Sequence, residues 1–346
     1  METAFILEKL ILVVVVFTIS LVIAMYSTLA ERKIAGFMQD RYGPDRAGFG
    51  GILQPLCDGG KFFFKEEIIP AGAHKSLFII GPMLAIITAC ISSAVIPWGG
   101  SLTIGDREVS LQVADINVGI LYVFGVVALG VYGIMIGGWA SNNKFSLMGA
   151  IRAASQSISY EIAMGLSIIA LLMVSGTLSM SEIVAQQSGF VNWNIWVQPL
   201  GFLIFITCAF AECNRVPFDL PECETELVGG YHTEYSSMKL GLYMFSEYIN
   251  MFVSSALMAA LYFGGYNFPF MNELGLSENW VTIIGVFVFF LKIFGFIFFF
   301  MWIRWTLPRF RYDQLMNLGW KILIPLAIAN IVLTGVITVV KDLYFG

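Results

Sequence analysis

The chain has 346 residues, of which 58% are apolar and 12% charged, with 19 Lys and Arg against 24 Asp and Glu for a net charge of -5. A soluble domain is roughly 25% charged, so a water-facing surface cannot be built from this composition, and a polytopic membrane protein is expected. The small, dispersed negative charge argues against a nucleic-acid partner; five cysteines without a C-x-x-C pair and two histidines argue against a metal site, cluster or haem held by this chain, and no glycine-rich nucleotide motif follows a strand pattern.

Eight apolar runs are long enough to cross a bilayer as helix, which takes about 20 residues. The first, Ile11–Leu29, ends in Glu31-Arg32-Lys33, with no small-residue cleavage site. A polar loop follows, reading Gln39-Asp40-Arg41-Tyr42-Gly43-Pro44-Asp45-Arg46. Between Ile52 and Glu67 the polar residues Gln54, Asp58, Lys61 and Lys65 recur at steps of four, three and four. That stripe predicts an amphipathic helix lying in the membrane interface.

The second and third runs are Leu77–Ile96 and Asn117–Trp139. The fourth, Ala153–Ser175, contains Glu161; the fifth, Ile195–Ala211, leads into an acidic loop. Glu212, Asp219, Glu222, Glu224, Glu226 and Glu234 stand there against Arg215, with Lys239 at the far end and apolar residues between the charges. Such a loop is expected to fold back on the spans and partly bury its acids, raising the pKa of at least one carboxyl. A charged docking surface for a soluble partner is the other reading.

The sixth run, Leu240–Phe263, contains Glu247, and the seventh, Trp280–Ile303, contains Lys292. Ionisable groups inside spans usually mark ion or proton paths, although helix-to-helix contacts also use them. The next loop, Trp302 to Gln314, places Arg304, Arg309 and Arg311 among aromatics, which suits lipid headgroups, a polar ring such as a quinone, or acids on a partner. Ile322–Val340 is the eighth run. Of the 19 Lys and Arg, 15 fall in the loops after runs one, three, five and seven. The positive-inside rule makes those loops cytoplasmic and puts both termini on the opposite side. A single integral membrane domain over 1–346 is expected, because no repeat or linker is visible.

These motifs are long and specific. Glu31-Arg32-Lys33 with Arg41 to Gly48 and Gly51-Ile52-Leu53-Gln54-Pro55, the run from Arg152 to Glu161, the run from Arg215 to Glu226 with Glu234-Tyr235, and Pro308 to Met316 resemble the H subunits of NADH-quinone oxidoreductase, respiratory complex I. The resemblance runs nearly end to end. It implies a multi-pass subunit of the cell inner membrane that joins membrane and peripheral arms. Flavin and iron–sulfur clusters would sit on partner subunits, with no cofactor bound by this chain. Quinone, as substrate, would enter a chamber near Arg32, Arg41, Arg304 and Arg309. Glu161, Glu212, Asp219, Glu222, Glu224, Glu226 and Glu247 become expected members of an acidic path relaying quinone reduction to proton pumping. Asp45, Cys213 and Cys223 depart from the residues usual in that family. The matching subunit of a membrane-bound hydrogenase is a related reading. A free-standing proton or cation transporter is a further one, which expects internal repeats.

Overall fold

The first apolar run and the charges after it form one helix. In the computed structural model, which describes residues 2–105, 107–222, 224–271 and 276–345, α1 spans Glu2–Met38. The chain then turns through Gly48, Gly50 and Gly51, all at positive φ. α2 covers Gln54–Phe64, with Pro55 in its first turn, where a missing N–H costs nothing. Gln54 donates to Asp58 at 3.1 Å along the expected polar stripe. Leu56, Phe63 and Phe64 face outward, and Phe62 lies over Gly241.

α3 spans Lys75–Ile91. A two-stranded antiparallel hairpin, β1 (Ser101–Ile104) and β2 (Arg107–Ser110), follows with Ser101 opposite Ser110. This hairpin is a departure from the expected all-helical chain. The Asn279 side chain holds it, accepting from the Thr103 N–H at 2.8 Å and donating to its carbonyl at 2.9 Å.

α4 (Gly119–Ala140) packs on α3 through small residues: a Cβ on Gly133 would meet Ala85 N at 2.8 Å. α5 (Lys144–Ser175) starts where Asn143 Oδ1 accepts the Phe145 N–H and stops at left-handed Gly176. Two short helices follow, α6 (Met180–Gln186) and α7 (Asn194–Val197).

The fifth expected span is interrupted. Gln198 is non-helical, and α8 begins anew as Pro199–Glu212. The ring of Pro199 has no N–H to continue a helix, and buried partners hold the Gln198 side chain at the break. Gln198 donates to Thr334 Oγ1 at 2.8 Å and accepts from Asn330 at 3.0 Å. Fourteen residues of helix rise about 21 Å, less than the roughly 30 Å hydrocarbon layer.

α9 (Glu224–Leu227) is a single turn in the acidic loop. α10 (Ser237–Tyr262) and α11 (Glu278–Thr306) pair with each other and with α1. α12 (Tyr312–Asn317) runs through a π-helical stretch, Leu318–Leu323, into α13 (Ile324–Phe345). Among the described residues, seven helices are long and apolar enough to cross a membrane, and α8 is a shorter apolar one.

Polarity is inverted relative to a soluble protein. Leu10, Val14 and Phe17 of α1, Phe287, Leu291 and Phe298 of α11, and Val332 and Val336 of α13 are exposed. Gln156, Arg215, Glu247 and Asn330 are buried. The outer face is therefore suited to lipid or apolar neighbours, and the polar groups lie between helices.

Candidate functional site

The acidic loop is tied down from three sides. The fully buried Gln156 of α5 donates to the carbonyls of Ala211 and Phe218, both at 2.8 Å. The Phe310 N–H donates to the Pro217 carbonyl at 3.1 Å, and the Phe218 and Phe310 rings stack obliquely with centroids 5.5 Å apart. Gly149 of α5 lets the loop return, since a Cβ there would meet Tyr231 N at 2.6 Å. Chain folding thus forces charged residues inward.

Arg215 is the centre, with its side chain 6% exposed. One guanidinium nitrogen lies 3.4 Å from Glu31 and another 3.8 Å from Glu247, while the group sits 4.1 Å over the Tyr248 ring. Glu31 also receives Arg304 at 2.6 Å and the Tyr248 hydroxyl at 2.9 Å. Glu247 accepts the Tyr231 hydroxyl at 3.1 Å. Arg215 Nε and Nη2 make no hydrogen bond, because 3.8 Å is ion-pair range only. Burial pulls the Arg215 pKa down, but Tyr248, Glu31 and Glu247 more than offset it and hold it above its ordinary value. The cation is permanent.

Farther along, Asp219 is buried and paired with Arg309 at 2.7 Å. Burial and the neighbouring Glu222 push its carboxyl up to about 7 against the pull of Arg309. Glu222 faces His232 at 3.3 Å. Burial pushes Glu222 up, yet its contact with His232, aided by Arg215 and Arg304, leaves it below the usual carboxylate value. His232 is raised, its burial outweighed by Glu222.

Glu161 on α5 and Glu212 at the end of α8 act on each other electrostatically where those helices pack. Glu161 Oε1 and Glu212 Oε2 are buried without a hydrogen-bond partner. Glu212 lines two cavities of about 20 Å³ each. One is shared with Glu247, Tyr231, Ser246 and Asn250. Each has room for about one water, enough to connect two carboxyls that do not touch.

The expected residues therefore separate. Glu161, Glu212, Asp219, Glu222 and Glu247 gather around Arg215 and the α5–α8 contact. Glu226 is exposed and pairs with Arg152 at 2.6 Å. The Glu224 side chain and Cys223 lie outside the described residues. Among the arginines, Arg304 and Arg309 bind buried acids, Arg32 pairs at the surface with Asp58 of α2 at 2.7 Å, and exposed Arg41 donates to Gln39 at 2.8 Å. Sequence reasoning missed Glu31, Tyr231, Tyr248 and His232 as members and saw Arg215 only as a loop charge. Glu31 stands in a run that the sequence reading uses only against a cleavage site and for the resemblance, and Tyr248 beside Glu247 is the available signal.

The same chain has well-matched relatives. Residues 10–335 match the NADH dehydrogenase family. The chain is 70% identical over 331 residues to an NADH-quinone oxidoreductase H subunit from Cytophaga hutchinsonii, covering 96% of each chain. It is 63% identical to the corresponding protein of Flavobacterium psychrophilum, covering 97% of this chain and 98% of that one. A Geobacter metallireducens H subunit is 47% identical, with 96% of each covered.

Proposed function

This chain belongs to the family of NADH-quinone oxidoreductase H subunits, and from that premise we propose that it couples quinone reduction to proton movement inside the assembled complex. The observation that carries this reading is the continuous chain Arg304–Glu31–Arg215–Glu247–Tyr231, buried beyond the half-buried Arg304, which joins the arginine-bearing end of α11 to an acid within α10. Quinone is the substrate, approached by Arg304, Arg309, Arg32 and Arg41. Electrons reach it from flavin and iron–sulfur clusters on partner subunits, and this chain holds no redox group.

Reduction to quinol takes up protons and changes the charge beside Arg304. Glu31 shares its carboxylate between Arg304 and Arg215, so a change at one arginine is felt at the other. Arg215 in turn sets how readily Glu247 takes a proton. Glu212 and Glu161 extend the path, with Asp219, Glu222, Glu224 and Glu226 along its loop side. The coupling needed is about 1–3 kcal/mol, the usual size for linked sites.

The protein acts as one integral membrane unit in the bacterial inner membrane, with both termini on the non-cytoplasmic side. The relatives' identity favours this reading over a hydrogenase component or a free-standing transporter. Arg304→Ala or Arg32→Ala is expected to lower NADH:quinone turnover while artificial acceptors are still reduced. Glu161→Gln and Glu224→Gln are expected to keep assembly and impair turnover with its linked proton uptake in reconstituted vesicles. Normal turnover and a normal proton-to-electron ratio in both Gln variants would leave the loop as a docking surface.

A further inference from the structure

The three arginines of the network cannot change charge near neutral pH. His232 can, since imidazole titrates there. It is not left to solvent: its side chain is 17% exposed, and Nε2 lies at ion-pair distance, 3.3 Å, from Glu222 Oε1, a buried oxygen without a hydrogen-bond partner. The backbone holds the two together. Gly230 sits at φ +60, and a Cβ there would lie 1.7 Å from the Pro221 carbonyl oxygen and 2.9 Å from Glu222 Cα. Only glycine permits that approach. The His232 ring meets the edge of Tyr231 at 5.2 Å, and Tyr231 gives its hydroxyl to Glu247. The pair thus adjoins the acid within α10.

We infer that His232 is a proton donor and acceptor for Glu222, and so a working member of the acid path. In the resting state an imidazolium faces a carboxylate. When the path gains negative charge elsewhere, the Nε2–H bond breaks and an O–H bond forms on Glu222, leaving neutral imidazole and neutral acid. The reverse transfer resets the pair. This rests on the relay reading above.

The groups facing the pair hold the resting ion pair, which the added negative charge must overcome. Asp219 acts on His232, while Arg215 and Arg304 act on Glu222. Two spans pack against the 230–232 turn. α5 carries Lys144, Arg152 and Glu161, with Arg152 committed to Glu226. α4 carries no Asp, Glu, Lys, Arg or His. Glu222 and Asp219 raise the His232 pKa despite burial, so the fold favours the imidazolium more than water does.

The test uses the intact complex in native membranes and compares His232→Asn, His232→Gln, Glu222→Gln and the His232→Asn/Glu222→Gln double variant. Both His variants are expected to assemble and to reduce artificial acceptors normally. Their NADH:quinone turnover is expected to fall about 5-fold or more, the lower end of typical site coupling. The wild type is expected to lose turnover as pH rises through the His232 titration, and the His variants to lack that step. The double variant is expected to be no worse than Glu222→Gln, because residues acting through one another are not additive. Wild-type turnover and an unchanged pH profile in His232→Asn, with Glu222→Gln impaired, would overturn the inference alone. An unimpaired Glu222→Gln would defeat the relay reading itself. Failed assembly in both His variants would make the pair a structural tie and overturn the inference.

Discussion

At the scale of single residues, Arg215 and Asp219 show two ways of keeping charge inside a membrane protein. Arg215 is surrounded by Glu31, Glu247 and the Tyr248 ring. Removing the cation leaves Glu247 buried without a counter-charge and Glu31 with Arg304 alone. Arg215→Met is expected to destabilise the fold by about 3–5 kcal/mol, read as loss of assembled complex or a lower melting temperature. Arg215→Lys is expected to fall between, since a point charge replaces a planar fork. Asp219 is the pH-dependent case. Its folded pKa, about 7, lies above the ordinary carboxylate value, so the folded state favours the protonated form. Its contribution to stability is full below the ordinary value and is lost as pH rises through about 7. The melting temperature of the solubilised complex is therefore expected to drop less between pH 5 and 8 in Asp219→Asn than in wild type. Identical slopes would show that Arg309 keeps Asp219 ionised throughout. The acids of this region were legible in the sequence because six carboxylates against one arginine is an imbalance that folding must answer. Glu31 was not, because its partners Arg215, Tyr248 and Arg304 lie 184, 217 and 273 positions away in the chain.

Among the elements, α11 carries an ionisable residue held in a contact with the end of α10. Lys292, in the middle of that helix, donates to the carbonyls of Phe263, Gly265 and Asn267 at 2.7, 2.7 and 2.6 Å, and lies 4.8 Å from the Trp193 ring centroid. These carbonyls follow α10, so the ammonium holds the turn by which the chain leaves that helix. Sequence reading took an intramembrane lysine as a sign of an ion path, with helix contact as the alternative; the three carbonyls support the contact. Lys292→Met is expected to cost about 3 kcal/mol, the order of several charge-assisted bonds less partial relaxation. A lower melting temperature together with unchanged turnover per assembled complex checks it, whereas lost turnover at full assembly would place Lys292 on the path. α8 teaches the converse lesson. Its apolar run reads as one continuous span, but the helix restarts at Pro199 after a break at Gln198, whose side chain meets Thr334 and Asn330 of α13. A local pattern does not reveal partners on a distant helix.

For the whole molecule, orientation follows from the Lys and Arg bias. Lys341, near the end of α13, is expected on the non-cytoplasmic side. Lys341→Cys in a Cys57→Ser background is expected to react with a membrane-impermeant thiol reagent in intact cells. Labelling only in inverted vesicles would reverse the topology. The apolar outer surfaces of α1, α11 and α13 are compatible with both lipid and neighbouring subunits, and the assembly decides which.

Membrane class and family were determined by the sequence alone, since both rest on composition and on contiguous motifs. Twenty apolar residues in a row bury themselves in lipid whatever their neighbours do, and long loop motifs survive as strings. The arrangement of the site was decided only by tertiary structure. Whether a carboxylate is paired, shared or left facing a small cavity depends on which helices bring counter-charges within about 4 Å, and those charges come from opposite ends of the chain. Glu226 and Glu222 are near neighbours in one loop, yet the first meets Arg152 at the surface and the second meets His232 inside. The close approach that Gly230 permits made that difference, and no composition or spacing encodes it.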